Sequence, residues 1–556
     1  MIRRKHRLSE RTYDLLIIGG GINGAGIAYA AARRGLATVL LERHDFGSGT
    51  TSRSTKLIHG GLRYLEQGEF GLVFESLRER EALLHLAPHL VRPLPFLILI
   101  PRQASYHPLR VRLGLMAYDL LSLGKSLPAH KPLSLAEVRE REPALVLDDV
   151  RAAFLYFDAQ VRYPERLVIE NLRAAEEHGA DVFNYAEVIE ILVEGGAVRG
   201  ARVRDRITGE EIQIRAHLVI NAAGPWVDAV CHVLPRALPR LIGGTRGSHL
   251  VVPNTWSLRH ALYAVARADG RPFFIVPWRD CVLIGTTDIR HEDDADQARA
   301  GDEEIAYLLA EARRLLGPRL RREDIWYAYS GVRPLPYQPG VPEGAITRRH
   351  IIRDHEREDG IAGILSIIGG KITPYRHLAH EVVTLACRKL RRKECARPRP
   401  SESLPGGAPL SSREFIEAAQ ALNVAAESAA HLLQLYGSLS MEVLALVQKE
   451  RILGKRLCPH HPDIAAQIIY AIEREHAVRL ADVFLRRTDI GWSRCLGLSC
   501  APIAVRLMGD RFGWDEARVH EEIAAYRDEL ARTFRIFTPI AINRANPWVG
   551  ATAPLS

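Results

Sequence analysis

The chain has 556 residues, 47% of them hydrophobic and 25% charged, with a formal net charge of +9. Those values describe a globular protein of two to four domains, at about 100–200 residues each. They hold no apolar run near the ~18 residues of a membrane span and no aromatic-interleaved basic stripe or finger spacing for nucleic acid.

The basic N-terminus, with Arg3, Arg4, Lys5, Arg7 and Arg11, lacks the apolar stretch of a secretory leader. The chain is therefore expected to be intracellular, and the tail suits either solvent or an anionic lipid surface. "YDLLII" (13–18), "GGGINGAG" (19–26), a small-residue helix and "ATVLLE" (37–42) read as strand, glycine turn, helix and strand. Gly19, Gly21 and Gly24 fit G-x-G-x-x-G: a tight turn, a close backbone approach to a pyrophosphate, and close helix–strand packing. The helix N-terminus then faces phosphates, and Glu42 is placed to accept hydrogen bonds from a ribose.

The chain next enters "HDFGSGTTSRSTKLIHGGLRYLE" (44–66), rich in hydroxyls and glycines. Such a loop suits wrapping of a large cofactor, which favours FAD over a nicotinamide. "LPFLILIP" (94–101) reads as a buried strand. "HPLRVRLGLMAYDLLSLGKSL" (107–127) mixes cations with apolar residues at near-helical spacing, and fits a bilayer interface or a helix facing the core equally well. "AHLVINAAGPWVD" (216–228) is a buried strand ending in Ala-Gly-Pro. "RPFFIVPWRDCVLIGTTD" (271–288) reads as an antiparallel hairpin turned at Arg-Asp. "GILSIIGGKITPYRHLAHEVV" (363–383) is a strand, a Gly369–Gly370 turn and a helix whose N-terminus would stabilise negative charge on a reduced flavin. A Pro/Gly/Ser linker follows at 396–409, then helices over 411–540. Seven scattered cysteines show no metal-like spacing, and the nearest pair, Cys495 and Cys500, reads as packing.

Taken in order, "GGGINGAGIA", "TSRSTKLIHGGLRYLE", "NAAGPWV", "GSHLVVP", "IGTTD", "SGVRPL" and "SIIGGKIT" resemble the flavin-dependent glycerol-3-phosphate dehydrogenases. The resemblance is strong over 13–380 and weaker beyond. It implies an α/β fold: a Rossmann-like FAD domain of the glycine-oxidase/D-amino-acid-oxidase type (10–90, 161–228, 345–395), an antiparallel-sheet substrate cap (91–160, 229–344) and a C-terminal helical domain (405–545). It also implies a peripheral enzyme on the inner face of the cell membrane that oxidises sn-glycerol 3-phosphate and passes electrons to a quinone. A glycerol-3-phosphate oxidase making peroxide is the alternative. An amine or 2-hydroxy acid oxidoreductase and a flavin-binding regulator are rivals that the arginines below argue against. A homodimer is compatible with this reading, no nucleic-acid partner or metal is expected, and the missing EF-hand loop favours a bacterial over a mitochondrial form.

The cofactor is expected to touch Gly19, Gly21, Gly24, Glu42, Thr50, Thr51, Ser52, Ser54, Lys56, His59, Gly60, Gly61, Ala223, Gly224, Gly369, Gly370, Lys371, Ile372 and Thr373. The substrate is a dianion that needs fixed cations. Arg333, between Gly331 and Pro334, is the first candidate because a guanidinium fork binds phosphate bidentately. The resemblance adds Arg63, Tyr64 and Lys371, with Arg348 as a further candidate. His59 or His249 suits the general base, so the catalytic set is His59, His249, Arg333 and Lys371 with the base unassigned. Pro374 stands where the family usually has a hydroxyl residue, which removes one donor and one N–H near the flavin pyrimidine.

Overall fold

A computed structural model describes residues 11–537 except 67, 105, 235 and 397–401. The tail residues Arg3, Arg4, Lys5 and Arg7 and the middle of the 396–409 linker lie outside the described residues. Tyr13–Ile18 are all buried, as a central parallel strand requires. The strand pairs in parallel with Glu211–Asn221 on one side and Thr38–Leu41 on the other. Asp181–Phe183 and Ile364–Ile368 extend this sheet, Ile351–Asp354 closes one edge antiparallel, and the hairpin Ala186–Glu194/Ala197–Asp205 continues from the outer end of Glu211–Asn221. The carboxyl ends of Thr12–Ile18, Thr38–Leu41 and Glu211–Asn221 meet at the glycine turn, where ligands bind in open α/β sheets.

The second sheet has eleven strands and is mainly antiparallel. Val91–Pro101 pairs with Val150–Val161, confirming "LPFLILIP" as a buried strand. Pro272–Trp278 and Cys281–Gly285 form the expected hairpin, with Trp278 opposite Cys281 and Arg279 at φ +60 in the two-residue turn.

The domains are more interleaved than their boundaries in sequence suggest. Leu57–Ile58, inside the expected FAD segment, pairs with Gln160 and Ala159 of the cap sheet. Phe534–Ile536 leaves the C-terminal helices to pair with Tyr327–Tyr329. The C-terminal part also carries a short strand pair, Arg456–Cys458 with His461–Ile464. Ala426–Lys449 is apolar enough to cross a membrane by composition, with mean hydropathy 1.3. It is two helices broken at Gly437 (φ +55) and belongs to the packed core.

Buried charges join these parts. Asp45, at the start of the glycine-rich loop, accepts from Arg487 Nη1 and Nη2 (2.7 and 2.8 Å), Arg486 Nε (2.5 Å) and Asn184 (2.9 Å). A second buried network surrounds His431. Its Nε2 lies 3.1 Å from Asp463 and 3.5 Å from Asp489, and Gln467 also donates to Asp463. Arg279 of the cap hairpin reaches Asp489 at 2.9 Å and hydrogen-bonds His461, whose Nδ1 faces Asp463 at 2.5 Å. With His431 protonated, His431 and Arg279 balance the two carboxylates. Burial works against the imidazolium, but Asp463 and Asp489 raise His431 to about 9. Its contribution to stability is therefore complete below the ordinary value of 6.5 and is lost as pH rises through about 9. The wild-type denaturant midpoint is expected to fall between pH 7 and pH 10, on the order of 3 kcal/mol from this group, and His431→Gln to flatten that fall. Parallel pH profiles for wild type and variant would contradict it.

All seven cysteines are free. Cys458 and Cys500 are buried in one core cluster, with Cys495 packed against it.

Candidate active site

A cavity of ≈ 970 Å³ runs from the glycine turn to the cap sheet, large for a ligand site. Gly19 has φ +109, and a Cβ there would lie 2.7 Å from Ala222 O. Gly21 lines the cavity and precedes the helix Ile22–Arg33. Gly24, expected also to touch the cofactor, does not line it; a Cβ on Gly24 would meet Gly19 O at 1.9 Å, so this glycine serves close packing of the turn and helix instead. Thr51 Oγ1 accepts from Ile22 N (3.2 Å), leaving the next amides of the first turn without intrahelical acceptors. Glu42 reaches the cavity with one oxygen on Gly20 N (2.7 Å) and the other on His44 N (2.8 Å). Each oxygen keeps lone-pair capacity for a ribose hydroxyl.

The 44–66 loop is held open from behind. Thr50 Oγ1 donates to Val332 O (2.7 Å), and Ser54 O accepts from Tyr329 (2.9 Å). Thr50 and Ser54 line the cavity, whereas Ser52 is buried and donates to Gly47 O (2.6 Å). Lys56 lines it too, but its ammonium points to Ser52 O (3.2 Å) and Glu165 (3.5 Å), between the rings of Trp278 and Trp492. The strand Leu57–Ile58 then carries the chain across to the cap and sets down His59 and Gly61 on the cavity wall. Gly60 sits behind them. Its N–H donates to Tyr118 Oη (2.9 Å) and Asp158 Oδ1 (3.2 Å), and Arg80 pairs with Asp158 at 2.6 Å. From the opposite wall come Ala223, Gly224 and Gly369 to Thr373. Pro374 is the N-cap of the helix Tyr375–Lys389, where a missing N–H costs no helical hydrogen bond. Thr373 supplies a hydroxyl in its place, accepting from His59 N at 3.1 Å.

Several buried polar atoms of cavity residues have no hydrogen-bond partner: Asn23 Oδ1, Trp226 Nε1, His249 Nδ1, Arg348 Nη1 and Lys371 Nζ. Buried polar groups are seldom left unpaired, so these atoms await a polar ligand. They fit a dinucleotide at the glycine turn and an anion at the cap. His249 accepts or donates at Thr55 Oγ1 (2.9 Å) and stacks on Tyr329. Burial, with Arg333 and Lys56 nearby, lowers it to about 3. His59 meets Phe274 edge-on, and burial lowers it to about 4 despite Asp158. Lys371 Nζ lies 3.5 Å over the Tyr64 ring, and burial brings it down to about 7.

Arg333 and Arg348 both reach the cavity with Arg63 and Tyr64. Arg333 is already engaged: Nη1 donates to Asp288 (3.0 Å) and Thr245, and Nη2 to Thr286 (3.1 Å) and Thr287 O. Arg348 donates Nη2 to Asp288 (2.9 Å) and keeps Nη1 unbonded. The structure thus brings together all the expected substrate residues and adds Asn23, Phe274 and Asp288. Asn23 stands within the glycine fingerprint and Asp288 closes "IGTTD", so each lay inside a motif without a role of its own.

Residues 14–370 match the FAD dependent oxidoreductase family, and 401–519 match the C-terminal domain of alpha-glycerophosphate oxidase. The chain is 41% identical over 544 residues to a glycerol-3-phosphate dehydrogenase of Synechocystis, covering 95% of this chain and 98% of that one. It is 38% identical to a D-erythritol 1-phosphate dehydrogenase of Brucella abortus, over 86% and 94% of the two chains. The glycerol-3-phosphate dehydrogenase of Bacillus halodurans, solved with FAD, superposes with a TM-score of 0.77 at 29% identity, covering 95% of this chain and 96% of that one. The chain belongs to the FAD-dependent glycerol-3-phosphate dehydrogenase family.

Proposed function

We propose that the protein oxidises sn-glycerol 3-phosphate to dihydroxyacetone phosphate and delivers the electrons to a membrane quinone. The observation that carries this reading is the group of guanidinium cations in the cavity, Arg63, Arg333 and Arg348, with Arg348 Nη1 buried and unbonded. A dianionic phosphate answers that charge; a single carboxylate does not. FAD, which Gly19, Gly21 and Glu42 would hold at the glycine turn, would supply the acceptor for the hydride leaving C2 of the alcohol. The hydroxyl proton needs a base, and efficiency is greatest when its pKa lies near the working pH. His59 at about 4 and His249 at about 3 are weak bases, whereas Lys371 at about 7 is matched. Lys371, whose Nζ is buried without a hydrogen-bond partner on the cavity wall, is the base in this reading, with His59 and His249 as neutral polar walls. Arg63 and Arg348 bind the phosphate, and Arg333 holds the rim.

The membrane assignment is supported by the helix Pro108–Leu121, which buries only Leu115 and Tyr118. Leu109, Leu113, Met116, Leu120 and Leu123 are all more than half exposed, and Phe70 and Phe74 of the neighbouring helix add to this face. Arg110, Arg112 and Lys125 lie in the same segment, which is the composition of an interfacial helix. Co-sedimentation with phosphatidylglycerol vesicles at low salt is expected for wild type and is expected to fall about tenfold or more in a Leu113→Glu/Leu120→Glu double variant. Equal binding by both would contradict this.

The functional reading is tested by turnover with glycerol 3-phosphate and a soluble quinone analogue, with peroxide measured in air. Quinone reduction with little peroxide is expected. Stoichiometric peroxide would replace the dehydrogenase with the oxidase, and faster turnover of erythritol 1-phosphate would move the substrate to the longer polyol phosphate.

A further inference from the structure

Two guanidinium groups that face one pocket repel each other. In this site one carboxylate lies between them. Asp288 Oδ1 accepts from Arg333 Nη1 at 3.0 Å, and Oδ2 accepts from Arg348 Nη2 at 2.9 Å. Its own backbone oxygen accepts from Arg271 Nη1 at 2.5 Å. Asp288 itself reaches the cavity wall. The contacts divide the two arginines unequally. Arg333 has both ends of its fork on protein acceptors, so it is fixed as part of the wall. Arg348 has one end on Asp288 and Glu343 O, and its Nη1 is buried with no partner.

We propose that Asp288 is a positioning residue that orients Arg348, so that Nη1 of Arg348, rather than the fork of Arg333, is the guanidinium donor to the substrate phosphate. This rests on the reading of the site as one for a phosphate ester. The chemistry follows from the charges. Without Asp288, Arg333 and Arg348 face each other as like charges in a partly dry pocket, and Arg348 turns away. With Asp288, each has a counter-charge on its inner side, and the remaining N–H of Arg348 is aimed outward at no conformational cost on binding. An aspartate of this kind contributes nothing to hydride or proton transfer. Its removal should therefore raise KM and leave kcat nearly unchanged, the pattern of a lost interaction made equally in ground and transition states.

The test uses the FAD-loaded full chain carrying Asp288→Asn. Its amide accepts from one arginine and directs a donor at the other. Two readouts are made: steady-state kinetics with glycerol 3-phosphate, and binding of inorganic phosphate followed by perturbation of the flavin spectrum. The expected result is a KM raised about tenfold or more and phosphate binding weakened by a similar factor, with kcat within about threefold. Arg348→Lys should weaken phosphate binding as much as Asp288→Asn does, and the double variant little further, because the two act as one unit. Unchanged KM and unchanged phosphate binding in flavin-replete Asp288→Asn would overturn the proposal. So would a wild-type loss on Arg333→Lys greater than on Arg348→Lys. Should Asp288→Asn fail to hold flavin, Asp288→Glu keeps the charge but shifts it off the two guanidinium groups, and weaker phosphate binding there is the expected result, unchanged binding the contrary one. A wild type that binds phosphate but is not reduced by glycerol 3-phosphate would count against the function proposed above and not against Asp288.

Discussion

Lys371→Met is expected to lower kcat by about 10²–10⁴-fold, the range for loss of a positioned base, while the protein keeps its flavin. Nothing in the fold depends on the ammonium: Nζ makes no hydrogen bond and rests on the Tyr64 ring. The variant is therefore expected to express, fold and turn yellow like wild type. The pH profile gives the sharper signature. A base acts when deprotonated, so kcat/KM of the wild type should rise with pH up to about 7 and then level off, following the lowered Lys371. The residual activity of Lys371→Met should lack that acid limb. An acid limb that survives in the variant would move the role to His59 or His249.

Asp45→Ala is expected to destabilise the protein by about 3–5 kcal/mol, because removing one partner of a buried ion pair strands the other. Here two cations are stranded. Arg486 and Arg487 are buried, and both place Nη or Nε atoms on the Asp45 carboxylate. Asp45 also begins the loop that forms one wall of the cavity, so the same change should loosen the cofactor. The measurement is a denaturant midpoint together with flavin retained after gel filtration. Asp45→Asn, which keeps a neutral acceptor, should lose less. A midpoint unchanged in Asp45→Ala would show that the C-terminal domain does not brace the loop through these arginines.

Much of this was open to a reader of the sequence. The strand–turn–helix unit, the hairpin at Arg279–Asp280 and the buried strand at 94–101 are local, and residue spacing alone specifies local structure. Gly24 was expected both to pack helix on strand and to touch the cofactor; its missing Cβ bears out the packing, and its place off the cavity wall does not bear out the contact. What escaped was long-range. Asp45 meets Arg486 and Arg487 across 441 and 442 residues, and no spacing rule joins them. Leu57–Ile58 is two residues long, too short for a periodic signal, yet it takes the HGG turn from one sheet to the other. Arg333 looked the stronger phosphate ligand because Gly331 and Pro334 fix its backbone. The neighbours that occupy its fork, Thr245, Thr286 and Asp288, come from strands and turns paired with it only in the folded sheet.

The proposed function places a flavin at the Gly21 turn and Asn23, and a phosphate ester among the cations around Tyr64, in a single cavity. An anaerobic absorbance spectrum of the purified protein, before and after glycerol 3-phosphate is added, tests that account most directly. It predicts bleaching of the oxidised flavin bands on addition of glycerol 3-phosphate, none with glycerol, and reoxidation by a quinone analogue. A flavin-loaded protein whose bands stay unchanged with saturating glycerol 3-phosphate would contradict it.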